Sequence, residues 1–500
     1  MSAPFKVLYS NDLTHIETCV SPYHRQGEKF NRDMLDASVD ETADTGIDAH
    51  LLQPGFGWMA LWQSQVLPPA RHWDWLRNTY DIREADHYLA YVLNGGDIVR
   101  DFTRRCREKN LAPFISYRMN DTHHLEKLHS KHADGAQLNV SEFYQQHPEY
   151  ILEPASNSWQ DRGQNWAIPE VREYKFSFIR ELCENYDLDG LELDFVRYPR
   201  LFRLHETPPE QREAILTEFV TRVRTLLDAT ARGTKRWLSL RLPLPADMHG
   251  KLGINFDRLD AAGVDMFNLS SYYYTVQNTD ISLIRQATKN TSLYLEMTNC
   301  ISVGAAVDQE DGDNFELLNA TENQLRTTAQ GAYARGIDGI SLFNFVYYRK
   351  HGSEKKQTAV SEPPFGAIKR LREREVAPNS VRHYFIGSHW QDDGSLPKSM
   401  SLYGQYAALT MNVAPSGADH AALFAHVDHA AAGDWEAWVN DRPVFRHDAV
   451  PCEWRTPRHA AKVLGWPIPV AILNNGANEI VFRSKDAVKS VLDFVELIVW

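Results

Sequence analysis

Surplus positive charge, paired cysteines, long apolar runs and phosphate-binding glycine loops are all missing from this 500-residue chain. Lysine and arginine number 53 against 66 aspartates and glutamates, a formal charge of -13. No basic stripe tracks a phosphate backbone, which argues against a nucleic-acid partner. The five cysteines (Cys19, Cys106, Cys183, Cys300, Cys452) are widely spaced and form no CxxC, so they read as scattered core thiols and not as a disulfide framework or a zinc site. No apolar run approaches the roughly 18 residues of a membrane span, and no membrane partner is expected. GxGxxG, the P-loop and GxSxG are absent, which lowers the odds of nucleotide-dependent or serine-hydrolase chemistry, and no cofactor is expected. The opening MSAPFKVLYSND has no basic segment followed by an apolar one. A cytoplasmic location is the expectation as the sequence stands, and a periplasmic or secreted one if a leader was removed. His123, His124, His129 and His132 cluster at irregular spacing and read as a solvated loop, so no metal is expected. The acidic run from Asp308 to Asp313 carries its glycine at the fifth position, not the sixth of a calcium loop.

What is present is alternation. From the start to about residue 375, short β-rich runs alternate with helical patterns, the mark of repeated βα units. Eight runs stand out: Val7 to Ser10, Ala49 to Gln53, Pro113 to Arg118, Gly190 to Val196, Trp237 to Leu242, Met266 to Ser271, Leu293 to Met297 and Gly339 to Phe345. Eight strands predict a closed (β/α)8 barrel. Between them, Val171, Tyr174, Phe178, Leu182 and Tyr186 follow helical spacing, as do Ile215, Phe219, Val223 and Leu226. After Pro378 only strand patterns remain: Tyr406 to Val413, Ala421 to Val427, Trp435 to Val439, Val470 to Leu473, Glu479 to Arg483 and Val491 to Val499. The expected organisation is a barrel over residues 1–377 and a β-sandwich over 378–500.

The run DGLELDFVRYP, Asp189 to Pro199, opens on a turn signal and then places Glu192 and Asp194 on one face of a strand. In a closed barrel that face points at the axis, where charge is kept only if paired or used. A barrel works at the C-terminal ends of its strands, and the polar residues collected there are many. The third run ends in Arg118, Asn120 and Asp121, followed by His123; the fourth in Glu192, Asp194 and Arg197; the fifth in Arg241. Tyr272 and Tyr273 follow the sixth, Glu296 ends the seventh, and Asn344 ends the eighth. Glycoside cleavage needs one carboxylic acid and one carboxylate, and acids sharing a dry site push their pKa values apart. Asp194 and Glu296 are expected to face each other across the mouth, with Glu192 one pleat deeper, orienting Asp194 or a nearby arginine. Arg118, Arg197 and Arg241 come from three consecutive strands. They suit either a clamp for a uronate or sulfate, or pairing with Asp121, Glu192 and Asp194. Two long insertions follow the second and third runs; the first holds Trp58, Trp62, Trp73 and Trp75, which suit stacking on sugar rings or packing of the loop on the barrel.

On RMNDTH (Arg118 to His123), DGLELDFVRYP and the order of barrel then sandwich, the chain resembles the glycoside hydrolase family 10-like barrels, bacterial proteins related to the clan A glycosidases. The resemblance implies a polysaccharide-degrading enzyme with an acid/base carboxylate after the fourth strand, Asp194 or Glu192 by position, and a nucleophile after the seventh, Glu296. The Asn-Glu pair usual on the fourth strand is absent here, where Leu193 precedes Asp194. The segments PVAILNNGANEIVFRSK and WEAWVNDRPVF resemble galactose-binding-like jelly rolls, which bind sugar or brace the catalytic unit. The expected partner is an oligosaccharide or polysaccharide, probed through Asn120, Asn344, Trp58 and Tyr273 as further contacts. Two alternatives share these residues: a lyase or dehydratase in which His123 or Tyr272 takes a proton from a uronic acid, and a sugar-binding protein without catalysis.

Overall fold

The computed structural model describes residues 3–18, 28–55, 57–125, 140–154, 156, 159–277, 280–303, 316–346, 362–377, 379–387, 396, 398–400, 406–428, 433–447, 450, 452–456 and 462–500. The segments holding His129, His132 and the acidic run at Asp308 lie outside them, as does Cys19. Two compact units result: Met1–Tyr272 with Ser282–Glu296 and Asp338–Gly352, and Tyr273–Ile281 with Met297–Ile337 and Ser353–Trp500.

The first unit carries a closed parallel barrel of eight strands. They are β1 (Val7–Asp12), β2 (Ala49–Gln53), β3 (Ala112–Arg118), β4 (Gly190–Asp194), β5 (Trp237–Pro243), β6 (Met266–Ser270), β7 (Ser292–Met297) and β8 (Gly339–Phe343). All eight predicted runs are strands, and β1 closes the ring on β8 with Val7 opposite Ile340. The pleat sorts each strand into two faces. Leu191 and Leu193 of β4, Leu238, Leu240 and Leu242 of β5, and Leu293 and Leu295 of β7 are buried on the outside, under the helices. The alternate residues fill the interior in three layers.

The floor is apolar: Leu8, Ala49, Leu51, Phe114, Met266 and Tyr294 form one buried cluster, with Phe5 and Trp237 packed against it. Above it lie Ser10, Ser116, Glu192, Ser239, Asn268 and Ser341, all fully buried. The top layer is charged, with Asp12, Gln53, Arg118, Asp194, Arg241 and Glu296. Gly190, the second residue of the Asp-Gly turn signal, opens the fourth strand as expected. A Cβ there would lie 2.0 Å from the Phe114 ring. Gly339 of β8 likewise leaves room for Tyr294. These two glycines let aromatic rings cross the floor.

Of the predicted helical stripes, Val171, Phe178 and Leu182 are buried in the helix Pro169–Asn185, which begins with proline at its first turn, where a missing N–H costs nothing. In the helix Pro209–Ala229 the buried stripe is Leu216, Phe219, Val220, Val223 and Leu227, one position round from the expected one at Ile215 and Leu226.

Among its described residues the second unit contains two larger antiparallel sheets, so the barrel is followed by a β-sandwich, and a two-stranded antiparallel pair, Cys300–Val303 with Glu316–Asn319. One sheet orders Arg382–Ile386, Ser490–Val499, Ala421–Val427 and Lys462–Ile468, with Lys398–Met400 also on Ser490–Val499. The other orders Tyr406–Val413, Gly476–Ser484, Trp435–Val439 and Arg442–Val444. Alternation sets the core: in Tyr406–Val413 every second residue is buried, beginning with Ala407. The expected strand at Val470 is instead a 3-10 turn, Val470–Ile472, because Pro467 and Pro469 withdraw two ladder donors just before it. Lys462–Ile468 was not foreseen; it tolerates Pro467 because it is an edge strand. Inside this unit Glu496 is fully buried between two histidines: His383 Nε2 lies 2.7 Å from Oε2 and His426 Nε2 2.9 Å from Oε1. Thr456 donates its hydroxyl to Oε2 at 2.7 Å. Burial would raise the Glu496 carboxyl, but the two imidazoles hold it well below the usual range.

Candidate active site

The charged top layer is a single hydrogen-bonded network centred on two arginines. Arg241 is fully buried and grips two carboxylates from opposite edges. Its Nε and Nη2 each donate to Glu296 at 2.7 Å, the bidentate fork. Its Nη1 donates to both oxygens of Asp194 at 3.1 Å. The flat guanidinium also lies 3.8 Å from the Phe343 ring centroid, a cation–π contact on one face. Asp194 and Glu296, from β4 and β7, are thus brought together as predicted, but through an arginine. Ser270 completes the grip, donating its hydroxyl to Glu296 and accepting from Arg241 Nη2 at 3.1 Å.

Glu192 lies one layer down and touches neither Asp194 nor an arginine, contrary to expectation. Its carboxyl accepts from Ser116 Oγ at 2.7 Å, Ser239 Oγ at 2.9 Å and Asn268 Nδ2 at 3.1 Å. The same Asn268 amide reaches Glu296 at 3.2 Å and so joins the two layers. Burial pushes the Glu192 carboxyl up to about 7, Asp194 and Glu296 push it the same way, and Ser116 and Arg241 hold it back.

Arg118 organises the other half of the mouth. Its Nε donates to Gln53 at 2.7 Å, Nη1 to Asp121 at 2.8 Å and Nη2 to Asp12. Gln53 passes the connection on, donating to Asp194 at 3.1 Å. Burial would raise Asp12 and Asp121, but neighbouring cationic groups, Arg118 among them, hold both below the usual carboxylate range. Asp121 Oδ1 also accepts from the backbone N–H of His123 at 2.8 Å and faces its ring Nδ1 at 2.7 Å. On the far side of that ring, Nε2 lies 3.0 Å from Arg197 Nη2. The His123 side chain keeps 28% of its surface exposed while Asp121 keeps none.

The predicted residues therefore divide. Arg118 and Arg241 spend their donors on internal carboxylates, so the three arginines do not form one clamp; Arg197 alone of the three is partly exposed. Asn120 closes the loop, accepting from Gln164 N–H at 2.9 Å and donating to the Gln164 and Arg200 carbonyls. Asn344 exchanges two bonds with Asp12, at 2.9 and 3.0 Å, where β8 meets β1. Trp58 has no exposed face. Its indole N–H donates to the Asp121 carbonyl at 2.6 Å, and the Lys175 amine sits 3.6 Å above its ring. It is a wall of the site and not a platform. Tyr272 is buried beside Ser270, to which its N–H donates at 3.0 Å. Tyr273 belongs to the other compact unit, where its carbonyl accepts from Thr298.

Asp12, Gln53, Asn268 and Lys175 were not singled out from the sequence, whereas Ser270 was, as the start of the polar run Ser270 to Tyr274. Asp12, Gln53 and Ser270 obey the rule used for the others, standing at the C-terminal ends of β1, β2 and β6. Lys175 gave no signal: it is a fully buried lysine in a helix, donating to the carbonyls of Gly57 and, at 3.2 Å, Arg118. Burial drives its amine far below the ordinary lysine range. Gly57 has φ of +88°, and a Cβ there would lie 2.3 Å from the Arg118 carbonyl. This close approach needs glycine.

Backbone strain marks the same mouth. His124, Tyr198 and Tyr272, bulky residues that rarely adopt positive φ, have values of +64°, +57° and +67° in the segments after β3, β4 and β6. Among the described residues, no group of three or more His, Cys, Asp or Glu is arranged to hold a metal ion.

No protein-family model matches the chain, and no curated protein is similar to it in sequence. Solved structures are similar in architecture. The α-amylase of Geobacillus thermoleovorans complexed with acarbose is 11% identical, over 96% of this chain and 98% of that one, with a TM-score of 0.39. Catalytic domain 2 of a group II chitinase from Ostrinia furnacalis is 11% identical over 75% and 98%, with a TM-score of 0.41. The PgaB glycoside hydrolase domain of Bordetella bronchiseptica is 10% identical over 70% and 97%, with a TM-score of 0.38. At such scores these likenesses carry no argument about chemistry, which rests on the site.

Proposed function

We propose that the protein is a glycoside hydrolase that works on an oligosaccharide or polysaccharide at the C-terminal mouth of the barrel. One observation carries the reading: two carboxylates share a single guanidinium, and a third carboxyl one layer deeper, Glu192, is pushed up to about 7. Glu192 therefore keeps its proton up to about pH 7. Glycosidic cleavage requires that mixture, one carboxyl to protonate the leaving oxygen and one carboxylate to attack the anomeric carbon or activate water. Asp194 and Glu296 take these roles in this reading, while Arg241 fixes their spacing and Glu192 holds the proton in reserve. Asp194→Asn is expected to cut release of reducing ends from the sugar turned over by about 10²–10⁴-fold. Full activity in that variant overturns the assignment.

A second reading is favoured by the rim. His123 and Arg197 lie side by side and partly exposed. An arginine that takes a uronate carboxylate, next to a base that takes the adjacent proton, performs β-elimination or dehydration. Mass spectrometry of acidic and neutral oligosaccharides separates the readings. Hydrolysis adds one water, dehydration removes one, elimination leaves an unsaturated uronate absorbing in the near ultraviolet, and simple binding returns the sugar unaltered.

A further inference from the structure

We propose that Asp121 and His123 form a proton-accepting dyad at the rim, in which Asp121 is the positioning residue that fixes the ring as its Nδ1–H tautomer and leaves Nε2 to meet the sugar. The inference rests on the reading that this mouth takes carbohydrate, and it names a base that the carboxylate set does not supply.

Hydrogen-bond chemistry settles the tautomer from both sides. Arg197 has donors only, so the Nε2 that faces it at 3.0 Å must accept. In the neutral ring the proton is then on Nδ1, where Asp121 Oδ1 accepts it at 2.7 Å. Burial, helped by Arg197 and Arg118, lowers the ring's pKa from that of an ordinary histidine against the pull of Asp121, which favours the neutral ring.

The pair is built and held. Asp121 is fixed by Arg118 Nη1, by the His123 backbone N–H and, at its carbonyl, by Trp58. Lys175 in turn covers the Trp58 ring and ties the Arg118 and Gly57 carbonyls together. A purely structural pair has no need of exposure, yet the ring is part-exposed at the catalytic end of the barrel while its partner is sealed. Strained backbone flanks it, at His124 on its own loop and at Tyr198, whose ring packs edge-on against His123 with centroids 5.1 Å apart. The charged and titratable groups facing the ring are Asp121, Arg118, Arg197, Tyr198 and His124.

In the step itself, Arg197 turns from Nε2 to the anionic group of the sugar, the freed Nε2 forms a bond to a proton of the sugar or of an attacking water, and the electron pair of the broken O–H or C–H bond stays on that oxygen or carbon. The imidazolium so formed is stabilised by Asp121 across the Nδ1–H bond, and its proton passes to the leaving oxygen or to solvent.

The test is nitrogen NMR of full-length protein labelled with ¹⁵N-histidine, with His123→Gln to assign the resonances. The expected spectrum at pH 7 has a protonated Nδ1 and an unprotonated Nε2. An Nε2–H tautomer, or an imidazolium persisting across pH 6–8, overturns the proposal. Asp121→Asn presents an amide to Nδ1; it is expected to shift the ring towards Nε2–H and to lower kcat by about 10²–10⁴-fold with a smaller change in KM. Undiminished kcat in an Asp121→Asn protein whose tautomer has changed also overturns it. If the wild type shows the stated tautomer but alters no sugar, the reading of function falls while the geometry of the pair stands, so the two failures are told apart.

Discussion

Replacing Glu192 by glutamine should make the protein more stable, and increasingly so as pH rises. In the folded chain its carboxyl is pushed from 4.5 to about 7, chiefly by burial. A raised acid binds its proton more tightly folded than unfolded. Its contribution is therefore fully present below 4.5 and is lost as pH rises through 7. The interval between those two values corresponds to about 3 kcal/mol. Glutamine has no proton to lose and fits the existing bonds. Its oxygen takes the place that accepts from Ser239 and Asn268, and its amide donates to Ser116. Urea unfolding of both proteins from pH 5 to 8.5 checks this, because the difference at each pH cancels everything that Glu192 does not touch. The advantage of Glu192→Gln should grow by about 2 to 3 kcal/mol across that range. Parallel curves would show that Glu192 ionises as an ordinary carboxylate, and the proton reserve of the proposed mechanism would be refuted.

Arg241→Met leaves Asp194 and Glu296 buried without their counter-ion and should cost about 3–5 kcal/mol, read as a lower urea midpoint; a loss under about 1 kcal/mol would mean that the two acids are paired by something else. Glu496→Gln in the sandwich should cost about 3 kcal/mol at pH 7. Because the folded carboxyl titrates below its ordinary value, that stabilisation is present above about 4.5 and fades as pH falls, so the two proteins should converge in acid.

The barrel was legible because every strand pairs an apolar outer face with a distinctive inner one; GLELD states both in five residues, with its leucines under the helices and its acids on the axis. Asp194 and Glu296 followed from the rule that such barrels work at strand ends. Arg241 as their bridge was not legible, since one strand's sequence does not say whether a cation faces a ligand or its own neighbours. Trp58 failed as a sugar platform for a similar reason. What decides its burial is Lys175, more than a hundred positions away in sequence, and a lysine in an apolar stripe reads as solvated. The turn at Val470 looked like a strand because valine and isoleucine suit one, yet the prolines before it had already removed the ladder donors.

The apolar floor lies under Ser116, Glu192 and Asn268, so the deep carboxyl is closed off by hydrocarbon on that side. On the other side stand Asp194 and Glu296, between Glu192 and the mouth of the proposed site. Under the proposed function, a sugar lying over those two would slow the exchange of the deep proton with water. If the proposal holds, the acidity that matters to catalysis is the one the site meets while empty.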